Sequence, residues 1–120
     1  MAKPIAVQRQ FSCPVEATLA IIGGKWKPII LFQLQTRTLR FGELRKAMPP
    51  GITQQMLTNQ LRELEADGIL TRTVYAEVPP RVEYSLTDLG QSLCPILEAM
   101  AVWGERVMTG GCRGKTLAAS

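Results

Sequence analysis

Apolar and polar positions alternate most regularly between Phe41 and Gly68. From Thr53 onward Leu57, Leu61 and Leu64 recur at i, i+4 and i+7, the spacing that stacks side chains into one buried stripe of an α-helix. Gln55, Thr58, Asn59 and Arg62 share the complementary face. Thr53 is suited to cap this helix with its hydroxyl, and Gly68 to close it in the left-handed conformation. About fifteen residues at roughly 1.5 Å each predict a rod of ~22 Å. Ahead of it, Arg40 to Ala47 predicts a short helix with Phe41, Leu44 and either Ala47 or Met48 inward. The two join through Pro49-Pro50-Gly51, a link longer than the tightest helix-turn-helix turn.

The flanking segments follow from the same reading. Residues 1–12 are expected to form a loosely ordered arm. A first helix is predicted from Pro14 to Ile22, with Val15, Leu19 and Ile22 inward and Gly23-Gly24 as its stop. Pro28 is expected to open a second helix, Ile29 to Gln35, apolar on nearly every side and therefore central, with Trp26 beside it in the core. After Gly68 the period changes to two. Ile69 to Tyr75 and Arg81 to Leu86 predict a hairpin with Val82, Tyr84 and Leu86 on one face and Arg81, Glu83 and Ser85 on the other. Its tip holds Pro79 and Pro80, which fix φ, lack N–H donors and so discourage edge pairing.

Thr87 is expected to cap a last long helix reaching about Met108, bent or broken at Pro95. Leu89, Leu93, Ile96, Leu97, Met100, Trp103 and Val107 form a stripe wider than one small domain needs. Either the stripe is ordinary core or it packs against a second copy, as in a two-fold dimer that presents two recognition helices to successive major grooves. Residues 109–120 read as a glycine-rich flexible tail. The fold class is therefore mainly α with a small β-hairpin (α+β): one winged helix-turn-helix domain over residues 13–108.

Charge sharpens this picture. The formal net charge is only +4, but between Lys25 and Arg62 stand seven basic residues and one acid, Glu43. Such a segment around a helix-turn-helix candidate points to a polyanionic partner, although solvation alone also produces basic faces. Double-stranded DNA fits best. Thr53, Gln54, Gln55, Thr58, Asn59 and Arg62 are the candidates on the recognition helix, because such side chains hydrogen-bond base edges or phosphates. Arg37, Arg40, Lys46 and Arg81 are candidate phosphate contacts, Arg81 being open also to reading minor-groove potential.

The same inventory excludes other classes. With no histidine, neither a Cys–His nor a Ser–His–Asp nucleophile can be assembled, so an enzyme is not expected. The spacing of Cys13, Cys94 and Cys112 fits no metal-ligand pattern, and no cofactor or metal is expected. Apolar runs such as Ile29 to Phe32 are far too short for a membrane span, and no signal-peptide core stands at the N-terminus, which makes the cytoplasm the expected location.

In order along the chain stand the blocks CPVEATL, IGGKWKPIIL, RFGELRKAMP, ITQQMLTNQLRELEADGI and VPPRVEYSLTDLG. In this ordered set the chain resembles the HxlR-type winged helix-turn-helix family of bacterial transcriptional regulators, over roughly Cys13 to Trp103. The resemblance implies a homodimeric DNA-binding regulator, related in fold to the multiple-antibiotic-resistance regulators and dimerising through its terminal helices. Its recognition helix would be Thr53 to Asp67 and its wing Glu77 to Arg81. It also implies a sensing role for Cys13, since some members use a cysteine just before the first helix to detect electrophiles or oxidants. A thiolate ahead of Pro14 is favoured by the helix dipole and opposed by Glu16. Cys112 is the candidate resolving thiol, and Cys94 is expected to be buried. Two alternatives stay open: a regulator switched by a small-molecule inducer at the dimer interface, and a winged-helix module that binds protein.

Overall fold

A computed structural model describes residues 10–110 of the chain. Within them helices α1 (Pro14–Ile22), α2 (Trp26–Leu34), α3 (Phe41–Ala47), α4 (Gln54–Ala66), α5 (Asp88–Gln91) and α6 (Cys94–Met108) surround strands β1 (Leu39–Arg40), β2 (Leu70–Tyr75) and β3 (Arg81–Leu86). The strands form one antiparallel sheet in the order β1-β3-β2. The helix-turn-helix pair, the hairpin wing and the stripe of α4 stand as expected. Residues 1–9 and 111–120, most of the expected arm and tail, lie outside the described residues.

One core unites the elements. Ile30, Leu31 and Leu34 of α2, Leu44 of α3, Leu57, Leu61 and Leu64 of α4, and Ile69 and Leu70 entering β2 are nearly inaccessible to solvent. Leu97 of α6 and Tyr84 of β3 join them, and Phe41, Trp26, Val82 and Leu86 pack around the edge. No described helix is long and apolar enough to cross a membrane.

Four expectations are corrected. Val15 and Leu19 do not face the core of this protomer: they are 66% and 59% exposed, and only Ile22 of α1 is buried. The second helix begins at Trp26, before Pro28, and ends at Leu34. Proline is tolerated there because first-turn N–H groups have no intrahelical acceptor to lose. On the same helix Phe32 is 39% exposed, so α2 is not buried all round. Finally, Thr87 caps only the short helix α5; the chain breaks at Ser92-Leu93 and restarts as α6, with Pro95 in its first turn. Proline thus breaks the rod, as expected of it, by starting the second segment.

α4 is held at both ends. The Thr53 hydroxyl accepts from the Met56 N–H at 3.0 Å. At the other end Gly68 has φ 76°, the left-handed region, and its N–H donates to the Glu65 carbonyl while the Ile69 N–H donates to the Leu64 carbonyl. Those two bonds satisfy carbonyls the helix leaves orphaned, and buried Leu64 and Ile69 add the accompanying apolar contact. The Lys27–Glu63 ion pair ties α4 to α2.

The C-terminus of α4 is also joined to α5. The Thr87 hydroxyl lies 2.6 Å from the Gly68 carbonyl and 3.0 Å from the Ile69 carbonyl, and accepts from the Gly90 N–H at 3.1 Å. The Thr87 N–H donates to the Ile69 carbonyl as well. Gly90 is buried against this junction: a Cβ there would stand 2.2 Å from the Ile69 carbonyl oxygen.

Candidate nucleic-acid interface

With Leu57, Leu61 and Leu64 buried, α4 turns Gln54, Gln55, Asn59 and Arg62 to solvent, with Thr53 exposed at the cap. The first acid along the helix is Glu63, so the N-terminal half presents donors and acceptors without a carboxylate. Thr58 is half-buried and its hydroxyl donates to the Gln54 carbonyl at 2.9 Å, which leaves a methyl group and an acceptor lone pair for any partner.

The basic residues divide into two sets. Lys27 is committed to Glu63, and Lys25 lies 4.6 Å from the centre of the Trp26 ring. Arg37, Arg40, Arg45, Lys46 and Arg62 are exposed and make no ion pair among the described residues. Arg40 caps α3 differently from a usual cap residue. Its side chain has no acceptor, but its N–H donates to the Glu43 carboxylate at 2.8 Å, so the only acid of the basic segment serves the helix start.

In the wing the structure places Arg81 less openly than its position near two prolines suggests. Its guanidinium lies 3.2 Å from the Glu77 carboxylate and 3.5 Å from that of Glu83, and stacks 4.1 Å from the centre of the Tyr75 ring. The register explains the cluster: Tyr75 is opposite Arg81, and opposite residues share a face. The parity matters for α4 too. Leu70, Arg72 and Val74 pair with Leu86, Tyr84 and Val82, and it is this set that includes the buried Leu70 and Tyr84. Arg72 is therefore the wing cation on the helix-facing side, and it is exposed. The sequence carries the signal for it, since Arg72 has the parity of Leu70, but alternation alone does not say which face of the wing meets the helix.

At the other end of the fold Cys13 is exposed in the N-cap position of α1, without a side-chain capping bond. The opposing charge of Glu16 is engaged: its Oε1 accepts from the Ser12 hydroxyl and from the Ser12 N–H, each at 2.7 Å. Those bonds hold the Glu16 carboxyl below the usual carboxylate range. Because the native pKa is depressed, this anchoring of α1 is complete above the ordinary carboxylate value and disappears as pH falls through the lower native value. The protection factor of the Ser12 amide, taken relative to the intrinsic exchange rate at each pH, is expected to hold near neutral pH and to fall in that acidic window, and that of Glu16→Gln to stay constant there. Cys94 is half-buried, not buried, with its thiol 3.6 Å from the Gln91 side-chain oxygen. Cys112 lies outside the described residues.

A capped recognition helix, a shorter helix before it and a three-stranded sheet ending in a hairpin define a winged helix-turn-helix protein. The comparisons with known proteins agree. The family described as HxlR-like helix-turn-helix matches residues 21–111, and the chain belongs to it. The HTH-type transcriptional regulator YdeP of Bacillus subtilis is 58% identical over 94 residues, spanning 78% of this chain and 73% of that protein. Among solved structures the redox regulator HypR in its oxidized form is 58% identical with a TM-score of 0.74, covering 78% of this chain and 95% of HypR. The reduced form of the transcriptional regulator YodB from B. subtilis is 33% identical with a TM-score of 0.67, covering 80% and 94% of the two chains. The family and these relatives are transcriptional regulators, not enzymes.

Proposed function

We propose that the chain is a sequence-specific regulator of transcription that binds double-stranded DNA as a homodimer. The observation that carries this reading is the acid-free, exposed N-terminal half of α4, capped by Thr53 and backed by a fully buried leucine stripe. Placed in a major groove, Gln54, Gln55 and Asn59 reach base edges, with Thr53 and Thr58 beside them and Arg62 farther along the helix. Arg37, Arg40 and Lys46 reach phosphates, and Arg81 supports the wing or contacts a phosphate by exchanging its carboxylate partners. Supporting a dimer, Val15 and Leu19 of α1 and Ile96, Met100, Trp103 and Met108 of α6 are large apolar side chains left exposed in one protomer. Repression follows if the dimer covers a promoter.

Cys13 is proposed as the switch. It is exposed at the start of α1, the helix that leaves Val15 and Leu19 exposed among the described residues, so its modification acts beside a surface suited to a second protomer. Two of the similar structures are those of the redox regulator HypR in its oxidized form and of diamide-treated YodB. Diamide treatment is expected to change DNA affinity of the wild type and to leave Cys13→Ser bound as tightly as the reduced protein. Equal responses of the two would remove Cys13 from the mechanism. An apolar groove of 390 Å³ between α2 and α6, lined by Ile29, Phe32, Leu97 and Met100, favours as second reading a regulator switched by an apolar small molecule. In that case oxidation has no effect and a hydrophobic effector releases the DNA. A protein-binding module would show neither response.

A further inference from the structure

The inner face of the wing extends past the core and meets α4. Arg72 lies on that face, one cross-strand pair beyond buried Leu70, and is opposite buried Tyr84. From α4, Thr58, Arg62 and Glu65 follow one another at i, i+4 and i+7 and so project on one side. Together with Arg72 and Tyr84 they line a polar cavity of 340 Å³ between helix and wing. Two guanidinium groups thus approach a common space from different elements, and neither makes an ion pair among the described residues. The other wing arginine, Arg81, is on the opposite face and engaged by two carboxylates.

The shape of a duplex says what belongs there. A helix in the major groove and a hairpin against the adjacent minor groove must straddle the sugar-phosphate strand that separates the two. The concavity between them is where that strand passes. Arginine forks match phosphate oxygens in geometry and charge, and a bound anion relieves the repulsion between two neighbouring guanidiniums. Arg62 lies seven residues beyond Gln55, ~10 Å along the helix at 1.5 Å per residue, and about one turn beyond Asn59, the last of the base-reading side chains.

We propose that Arg62 and Arg72 form a two-element grip on one phosphodiester of the strand between the grooves, opposed by Glu65 on the same wall. This rests on the reading of α4 as a major-groove helix. Arg62 then contributes affinity and register, not base choice, and Arg72 is a DNA contact in its own right. Glu65 limits how tightly the strand is held.

The test is fluorescence anisotropy of the full-length protein with a duplex selected from a random pool and with a scrambled duplex, across potassium chloride concentration. Arg72→Ala should weaken binding to both duplexes by the same factor, roughly tenfold at 0.1 M salt, and make the slope of log affinity against log salt shallower by about one per protomer. Arg72→Lys should restore the slope but only part of the affinity, because charge returns without the fork. Glu65→Gln should tighten both complexes by about threefold, within the range of single exposed charge interactions. Wild-type affinity and slope in Arg72→Ala would overturn the grip, and so would a changed ratio between the two duplexes, which would make Arg72 a base reader. If the wild type itself fails to discriminate between duplexes, the major-groove reading falls and the grip falls with it. Arg72 is exposed, so the variant keeps its fold, which circular dichroism verifies.

Discussion

Alanine at both Gln55 and Asn59 is expected to remove most of the preference for the operator while leaving general affinity for DNA in place. Both side chains are exposed on the acid-free half of α4 and neither makes a hydrogen bond among the described residues, so truncation leaves no buried group unsatisfied. Asn and Gln amides pair bidentately with adenine in the major groove, and each such pair is worth about 1–3 kcal/mol of discrimination. Two per protomer lost together lower operator affinity by at least roughly a hundredfold, since about 1.4 kcal/mol corresponds to a factor of ten. Affinity for a scrambled duplex should change little, because it comes from phosphate contacts and counterion release. Competition anisotropy separates the two quantities. A protein-binding module predicts no difference between variant and wild type on any duplex.

The second large effect is on stability. Gly90→Ala places a methyl group 2.2 Å from the Ile69 carbonyl oxygen and 3.2 Å from Leu86 Cβ, at a junction where Thr87 bonds Gly68, Ile69 and Gly90. Backbone carbonyls on one side and a β-strand on the other cannot yield as a flexible side chain would. Overpacking of this kind costs about 3 kcal/mol. For a domain of this size that lowers the melting temperature by roughly 10–20 °C. Gly42 is the control. A Cβ there meets nothing within 4 Å, and Gly42→Ala in helix α3 is expected to be neutral or to stabilise by up to about 1 kcal/mol. Thermal unfolding followed by circular dichroism compares them directly. Similar melting temperatures for both would show that the α4–α5 junction is soft, and with it the connection between the recognition helix and helix α6.

The parts of the fold that were legible in the sequence are those with a strong local period. Leu57, Leu61 and Leu64, with a Thr cap before them and a Gly after, identify α4 because helix geometry and capping chemistry agree at every position. The wing was legible for the same reason, its alternation changing from 3.6 to 2 after Gly68. What local patterns do not encode is which partner an apolar face meets. Val15 and Leu19 have core spacing yet are exposed, since periodicity cannot distinguish the interior from an apolar surface. β1 was not legible because two residues have no period; Leu39 and Arg40 are a strand only by pairing with Tyr84 and Glu83. The interface was legible as a basic segment with amide side chains on one helix. The division of labour among its arginines was not, because Arg81 is engaged by Glu77 from the hairpin tip and by Glu83 two residues along its own strand, and Arg72 is brought beside α4 by strand register.

The central claim is that α4 reads DNA sequence from a dimer of this chain. It is tested most directly by fluorescence anisotropy on the duplex upstream of the chain's own gene and on its scrambled counterpart, titrated across salt with the stoichiometry determined. Two protomers per duplex, preference for the native order of bases, and affinity falling steeply with salt are the expected results. Equal affinity for both duplexes, with selection from a random pool also failing to enrich any sequence, would contradict the claim and leave a winged helix whose partner is not DNA sequence.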